Sequence, residues 1–110
     1  MLIIQVVPRA GIDAHRLLRY KITHEARTWS WKNKRKTRLQ HVQYRPGYIE
    51  VGGAGGVVVA HIVPAEERDQ FFLAEKFIGR LIAWFVEDLA AINLQFLEET
   101  VSPRKKRRRR

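Results

Sequence analysis

The spacing of the apolar residues changes at Pro64, and this change constrains the fold more than any other feature of the sequence. Before Pro64, apolar and polar residues alternate in short segments, a pattern typical of strands with one buried face. From Phe71 to Phe96, apolar residues recur at steps of three and four, which is typical of an amphipathic helix. The sequence therefore predicts an α+β fold in which one long C-terminal helix, at about residues 65–99, packs across a sheet.

Strands are predicted within residues 2–63, at 2–7, 18–23, 28–32, 37–44, 48–51 and 57–63. Short loops between successive strands favour antiparallel pairing, so we expect a largely antiparallel sheet of five or six strands. The glycine-rich segment 52–56 lacks the Gly-Lys-Ser/Thr sequence of a phosphate-binding P-loop, and a strand follows it. This segment is therefore predicted to be a hairpin turn.

The predicted helix carries more apolar surface than one packing face needs. A second apolar stripe lies well round the helix from the first and consists of Leu73, Phe77, Leu81 and Trp84. A curled sheet could wrap both stripes, or the second stripe could pack on a partner helix. The second interpretation predicts a homodimer or higher oligomer with these four residues in its interface.

The length of 110 residues indicates a single domain, predicted at 1–101, with a disordered basic tail at 102–110. The chain contains no cysteine, which excludes disulfides, cysteine zinc sites, iron–sulfur clusters and thiol catalysis. Its longest apolar run near the C-terminus, at 81–86, is far shorter than the ~20 residues of a membrane span. We therefore expect no membrane span and a cytoplasmic protein.

Positive charge is concentrated in two places. The net charge is +10, yet residues 9–45 hold eleven Lys/Arg and two acids, while residues 46–103 hold three Lys/Arg and nine acids. Residues 104–110 are all basic. A basic first part and a basic tail on an otherwise acidic chain predict a polyanionic partner.

The first basic cluster follows two tryptophans on a predicted strand. Its cations are Lys32, Lys34, Arg35, Lys36 and Arg38, and the aromatic residues are Trp29 and Trp31. Cations bind phosphates and flat rings stack on unpaired bases, so this combination indicates nucleic-acid binding. The alternatives are that the tryptophans belong to the core and that the turn is merely solvated.

The second basic cluster is the tail, for which nucleic acid is again the predicted partner. It comprises Arg104, Lys105, Lys106, Arg107, Arg108, Arg109 and Arg110, after a proline that stops a helix. A nuclear-import signal, an electrostatic membrane tether and a solubility tag remain alternatives.

Residues for catalysis or metal binding are sparse. The four histidines have no ligand spacing, and the chain has only two serines. We therefore expect no metal, no cofactor and no enzyme activity. An alternative is a small enzyme or ligand-binding domain with a pocket between sheet and helix, lined by Tyr48, His61 and Trp84. The favoured function is non-catalytic binding of DNA or RNA, and the alternative is an oligomeric adaptor whose apolar helix is the interaction surface.

Overall fold

Six strands form one antiparallel sheet with two helices in the computed structural model, which describes residues 1–97. The elements are β1 (Leu2–Pro8), α1 (Ala14–His24), β2 (Trp29–Trp31), β3 (Arg38–His41), β4 (Tyr48–Ala54), β5 (Val57–Val63), α2 (Asp69–Phe85) and β6 (Leu89–Phe96). This architecture confirms the predicted α+β class and the antiparallel sheet. The predicted tail at 102–110 lies outside the described residues.

The strand order is β2-β3-β4-β5-β1-β6, so β1 lies inside the sheet and β2 and β6 form its edges. Ile4 of β1 is paired with Ala60 of β5 on one side and with Leu94 of β6 on the other. The β4–β5 hairpin turns at Gly55 and Gly56, which have positive φ angles of 62° and 83° that favour glycine. The predicted hairpin at 52–56 is thus confirmed.

One face of the sheet carries both helices and the core. Along β5, the side chains of Val58, Ala60 and Ile62 are buried, while those of Val59, His61 and Val63 are exposed on the opposite, outer face. The buried residues of α1 and α2 join the same core cluster as these inward strand residues. Because His61 lies on the outer face, it does not line a pocket between sheet and helix, contrary to the alternative raised above.

Residues 18–23 are not a strand, because they belong to helix α1. Asp13 caps this helix, with its Oδ1 accepting a 3.1 Å hydrogen bond from the backbone N–H of Arg16. Ala14, Leu18 and Ile22 then recur every four residues and are buried. This spacing places all three on one face of a helix. The alternation that predicted a strand would also bury Tyr20, but this side chain is exposed.

Helix α2 is shorter than the helix predicted at 65–99, because it ends at Phe85 and the chain continues as strand β6. The turn is fixed by a 2.8 Å hydrogen bond from the Asp88 N–H to the Phe85 carbonyl, and the Asp88 carbonyl accepts a 2.9 Å bond from the Arg9 N–H. A helix of 17 residues is ~25 Å long, which matches the ~23 Å of a seven-residue strand.

The second apolar stripe of the helix, predicted to contact a partner, faces the protein's own sheet. Leu73, Phe77 and Leu81 are buried in the core, and Trp84 is half-buried with its ring centroid 6.0 Å from that of Phe85. A helix lying on a sheet needs one buried face, and this stripe supplies it, so the first three side chains are inaccessible to a partner in this fold.

Within residues 1–97, neither helix combines the length and hydropathy needed to cross a bilayer.

Candidate nucleic-acid interface

The basic turn between β2 and β3 is held in shape by Asn33. The Oδ1 atom of Asn33 accepts hydrogen bonds from the backbone N–H groups of Thr37 and Arg38, at 3.1 and 3.0 Å. Its Nδ2 donates to the Thr37 hydroxyl at 2.7 Å. Such side-chain to backbone bonds replace the pairing that a strand would supply, and asparagine is favoured in turns for this reason. The turn therefore presents its cations from an ordered backbone.

Four cations of this turn have no carboxylate partner among residues 1–97. Lys32, Lys34 and Arg35 are exposed and Lys36 is half-buried, and none of them forms an ion pair within the described part of the chain. Arg38 differs, because its Nε lies 3.2 Å from Oε1 of Glu50 and its guanidinium carbon lies 5.0 Å from the centre of the Tyr48 ring. The positive field of the turn thus comes mainly from the other four residues.

Helix α1 adds cations beside the turn. Arg16 and Arg19 on the exposed face of α1 line a cleft of about 430 Å³ together with Lys36. The acid in this cleft, Asp13, is engaged as the N-cap of α1. We call the cations of α1 and of the turn the basic surface, which consists of Arg16, Arg19, Lys32, Lys34, Arg35 and Lys36.

Sequence analysis did not include Arg16 and Arg19 among the binding residues, because residues 18–23 were interpreted as a strand and no helix was predicted after Asp13. In a strand, these two arginines would lie on opposite faces. In a helix, their three-residue spacing puts both on one side. The signal that could have found them is the N-cap at Asp13, followed by apolar residues at 14, 18 and 22.

The two predicted stacking tryptophans differ in exposure. Trp29 is buried, with its ring centroid 4.8 Å from that of His41 and 5.7 Å from that of Phe77, and is therefore a core residue. Trp31 is half-buried and its Nε1 donates a 3.2 Å hydrogen bond to the Thr23 hydroxyl, which ties β2 to α1. The exposed aromatic residue that lines the α1 cleft is Tyr20.

The other predicted nucleic-acid contacts, Arg104 to Arg110, lie outside the described residues. Their role stays a prediction from sequence. Within residues 1–97, no group of three or more His, Cys, Asp or Glu side chains is placed to hold a metal ion.

A second cleft, of about 600 Å³, lies between α2 and the strands β2 and β3. We call it the His41 cleft. Its polar side chains are Thr28, His41, Gln43, Glu75, Lys76 and Arg80. Sequence analysis missed this cleft, because nothing in the spacing of the histidines indicates that His41 packs beside α2.

Among residues 1–97, the buried polar residue of the core is His41, with 5% of its surface exposed. Its Nδ1 accepts a 3.1 Å hydrogen bond from the backbone N–H of Gln43. Burial, and secondly the positive charge of Lys76, lower the pKa of His41. The imidazole is therefore neutral at pH 7, and because Nδ1 accepts, its hydrogen is on Nε2.

Comparison of the chain with protein-family models, curated proteins and solved structures yields no significant match.

Proposed function

We propose that this protein is a small, non-catalytic nucleic-acid-binding protein that contacts phosphates through its basic surface and its basic tail. The single observation that carries the proposal is the convergence of Arg16 and Arg19 with Lys36 in one cleft, beside a turn in which four of the five cations have no carboxylate partner among residues 1–97. A cytoplasmic location is compatible with such a partner.

Three features support a polyanion over a small acidic ligand. The cations extend over a helix and a turn, which suits a chain of phosphates. The turn is ordered by Asn33, so little conformational entropy is lost when phosphates bind. Tyr20 offers one exposed ring within the cleft for a base to stack on. Because phosphate contacts carry no sequence information, we expect low sequence specificity.

The experiment is fluorescence anisotropy of labelled single- and double-stranded oligonucleotides with the full chain over a salt series. If all six cations of the basic surface meet phosphates, their part of the log–log salt slope is about −5 for duplex and about −4 for single strands. The salt slope is also measured for the triple variant Lys34→Ala, Arg35→Ala, Lys36→Ala and for a separate deletion of 104–110. The loss of slope in each shows how much of it the turn and the tail contribute.

The matched control removes positive charge elsewhere. The double variant Arg45→Ala, Arg68→Ala is compared with Arg16→Ala, Arg19→Ala, which loses the same charge from the basic surface. The proposal requires the Arg16→Ala, Arg19→Ala variant to bind oligonucleotides more weakly than the control variant. Absence of binding by the unaltered chain at low salt, or equal losses in both variants, would contradict it.

The alternative function, an oligomeric adaptor, is favoured by one different observation, the surface formed by β6 and the adjoining flank of α2. We propose that two copies of the chain pair through this surface. Ile82 of α2 and Val86, the residue after α2, are exposed beside β6, and Leu94 and Phe96 of β6 are also exposed. Residues 89–96 contain no charged residue or proline, which are the features that usually block pairing at an edge strand.

The absence of charge from residues 89–96 suits a second copy as the occupant of this surface. A chain of net charge +10 repels its own copy over most orientations, and an uncharged edge strand is a place where two copies can meet without like charges opposed. Antiparallel pairing of β6 with β6 of a second copy would satisfy the edge backbone groups and bury the apolar flanks together.

Sedimentation equilibrium tests the pairing with the variant Leu94→Lys. Val59→Lys is the control, because Val59 and Leu94 are nearly equally exposed, at 36% and 37%, but Val59 lies on the outer face. We expect the unaltered chain and the Val59 variant to show twice the 12.9 kDa chain mass, and the Leu94 variant to show one chain mass. A monomeric unaltered chain would contradict the pairing and leave the nucleic-acid proposal intact.

A further inference from the structure

Two cations of α2 stand at the mouth of the His41 cleft. Lys76 and Arg80 are four residues apart on the helix, so their side chains lie on the same side, and both are exposed. Neither forms an ion pair among residues 1–97. Glu75 also lines the cleft, which leaves a net charge of +1 from these three side chains.

The wall of the cleft includes a buried donor that has no hydrogen-bond partner among residues 1–97. His41 uses Nδ1 to accept from Gln43, and no group among residues 1–97 accepts a hydrogen bond from its Nε2. Buried polar groups are nearly always hydrogen-bonded, so a donor of this kind calls for a bound water or a ligand acceptor. The same ring lines the cleft that holds the two cations.

The chemistry of these groups selects the ligand class. A doubly charged oxyanion matches the two cations, and its oxygens accept hydrogen bonds from an ammonium, a guanidinium and an imidazole N–H. The volume of about 600 Å³ is far larger than a lone anion needs and falls within the range of small-molecule sites. An anion attached to a larger group therefore fits better than a free inorganic ion.

We propose that the His41 cleft binds a phosphate monoester, with Lys76 and Arg80 pairing with its charge and His41 Nε2 donating to one of its oxygens. A free nucleotide and the phosphorylated end of a nucleic-acid strand carry this same group. The inference goes beyond the proposed function, because the cleft lies beside α2 and shares no residue with the basic surface.

The test is an NMR titration of the ¹⁵N-labelled full chain with four probes. These are inorganic phosphate, adenosine 5′-monophosphate, and a hexathymidylate with either a 5′-phosphate or a 5′-hydroxyl. Adenosine 5′-monophosphate is expected to shift the backbone amides of Gln43 and Gly79 and to bind more tightly than inorganic phosphate. If a strand end is the source of the phosphate, the 5′-phosphorylated strand shifts these amides and its 5′-hydroxyl form does not.

Variants separate charge from shape. Lys76→Ala and Arg80→Ala should each weaken binding of adenosine 5′-monophosphate by about tenfold. Glu75→Gln should strengthen it, because a like charge is removed. Gly79→Leu should abolish it with every charge retained, because a side chain at Gly79 extends into open space in the cleft and meets no other protein atom at its Cβ.

Arg68→Ala, which removes a cation outside the cleft, is the control and should bind as the unaltered chain does. Two results would overturn the proposal. One is the absence of shifts at Gln43 and Gly79 with every phosphomonoester probe. The other is unchanged binding in Gly79→Leu, whose fold can be checked in the same spectra. Loss of oligonucleotide binding in the basic-surface variants with retained mononucleotide shifts would show that the two sites are separate.

Discussion

Arg38 and Glu50 face each other across β3 and β4, with the arginine Nε 3.2 Å from the glutamate Oε1. Both side chains are nearly half exposed, so the pair contributes at most about 1 kcal/mol to stability. Its greater effect is on the field of the basic turn, because it offsets one of the five positive charges that the sequence places there. Arg35, three residues earlier, has no such partner among residues 1–97.

This difference predicts unequal effects of two arginine substitutions. Arg35→Ala should weaken binding of single-stranded oligonucleotide and reduce the magnitude of the log–log salt slope by about 0.7. Arg38→Ala should have a smaller effect on both, since a carboxylate already engages that guanidinium. Anisotropy titrations over a salt series measure both quantities. Glu50→Gln is the matched control and should strengthen binding; equal losses in the two arginine variants would show that the ion pair does not limit Arg38.

Asn33 is predicted to stabilise the whole domain through the turn it holds. Asn33→Ala removes three hydrogen bonds, to Thr37 and Arg38, and should lower the free energy of unfolding by about 2 kcal/mol. Urea unfolding followed by circular dichroism measures the loss. Asn33→Asp keeps both Oδ1 acceptor bonds and should lose less. A loss in the aspartate variant as large as in the alanine variant would contradict the role given to Oδ1.

The buried imidazole predicts a pH dependence of stability. The pKa of His41 is lowered in the folded state from its ordinary value of 6.5, so the unfolded chain takes up this proton at a higher pH than the folded chain. The His41 contribution to the free energy of unfolding is therefore fully present above pH 6.5 and decreases as the pH falls from 6.5 through the folded-state pKa.

Urea unfolding between about pH 7.5 and about pH 5.5 measures this slope, and the ring proton signals of His41 measure its pKa directly. His41→Phe keeps an aromatic ring beside Trp29 and should lose this part of the slope. His61→Gln, on the outer face, should keep it. A His41 ring that titrates above 6.5 would reverse the sign of the prediction.

Two glycines are predicted to respond to alanine with opposite signs. Gly79 lies within α2, and an added Cβ meets nothing within 4 Å, so Gly79→Ala should raise the free energy of unfolding by about 1 kcal/mol. Gly56 has a φ of +83°, and a Cβ there would lie 3.1 Å from the Ile12 carbonyl oxygen. Gly56→Ala should therefore destabilise the protein by more than about 1 kcal/mol. Thermal unfolding of both variants compares their stabilities with that of the unaltered chain. A destabilising Gly79→Ala would indicate that the α2 backbone departs from regular helical geometry at this residue.

Most of the sheet is predicted by the sequence. β1, β4 and β5 are predicted as short strands rich in apolar residues, and in β5 the buried Val58, Ala60 and Ile62 alternate with outward residues. β2 and β3 are predicted from the alternating pattern of apolar and polar residues. The pattern failed at α1. Leu18 and Ile22 are four positions apart, a spacing that fits one face of a strand and also one face of a helix. Tyr20 between them favoured the strand, although its side chain is exposed.

The end of α2 could not be predicted from the same pattern. No glycine or proline separates Phe85 from Leu89, and Ile92 and Phe96 continue the helical spacing into β6. The turn depends on pairing with β1 and on the bond from Arg9 to Asp88, which are distant in sequence. The candidate site was predicted in part. The basic turn was predicted, whereas the cleft that it shares with α1 was not, because the alternating pattern at 18–23 indicated a strand instead of a helix.

The position of β1 between β5 and β6 determines when the protein can fold. Ile4 has its two cross-strand partners at Ala60 and Leu94, so the backbone of β1 is paired on both sides only after nearly all of the described chain has been synthesised. Such distant pairings cost loop-closure entropy before they contribute stability. We expect refolding in roughly milliseconds to seconds, slower than for helical proteins of this size, and nascent chains that stop before β6 should expose Leu2, Ile4 and Val6 to chaperones.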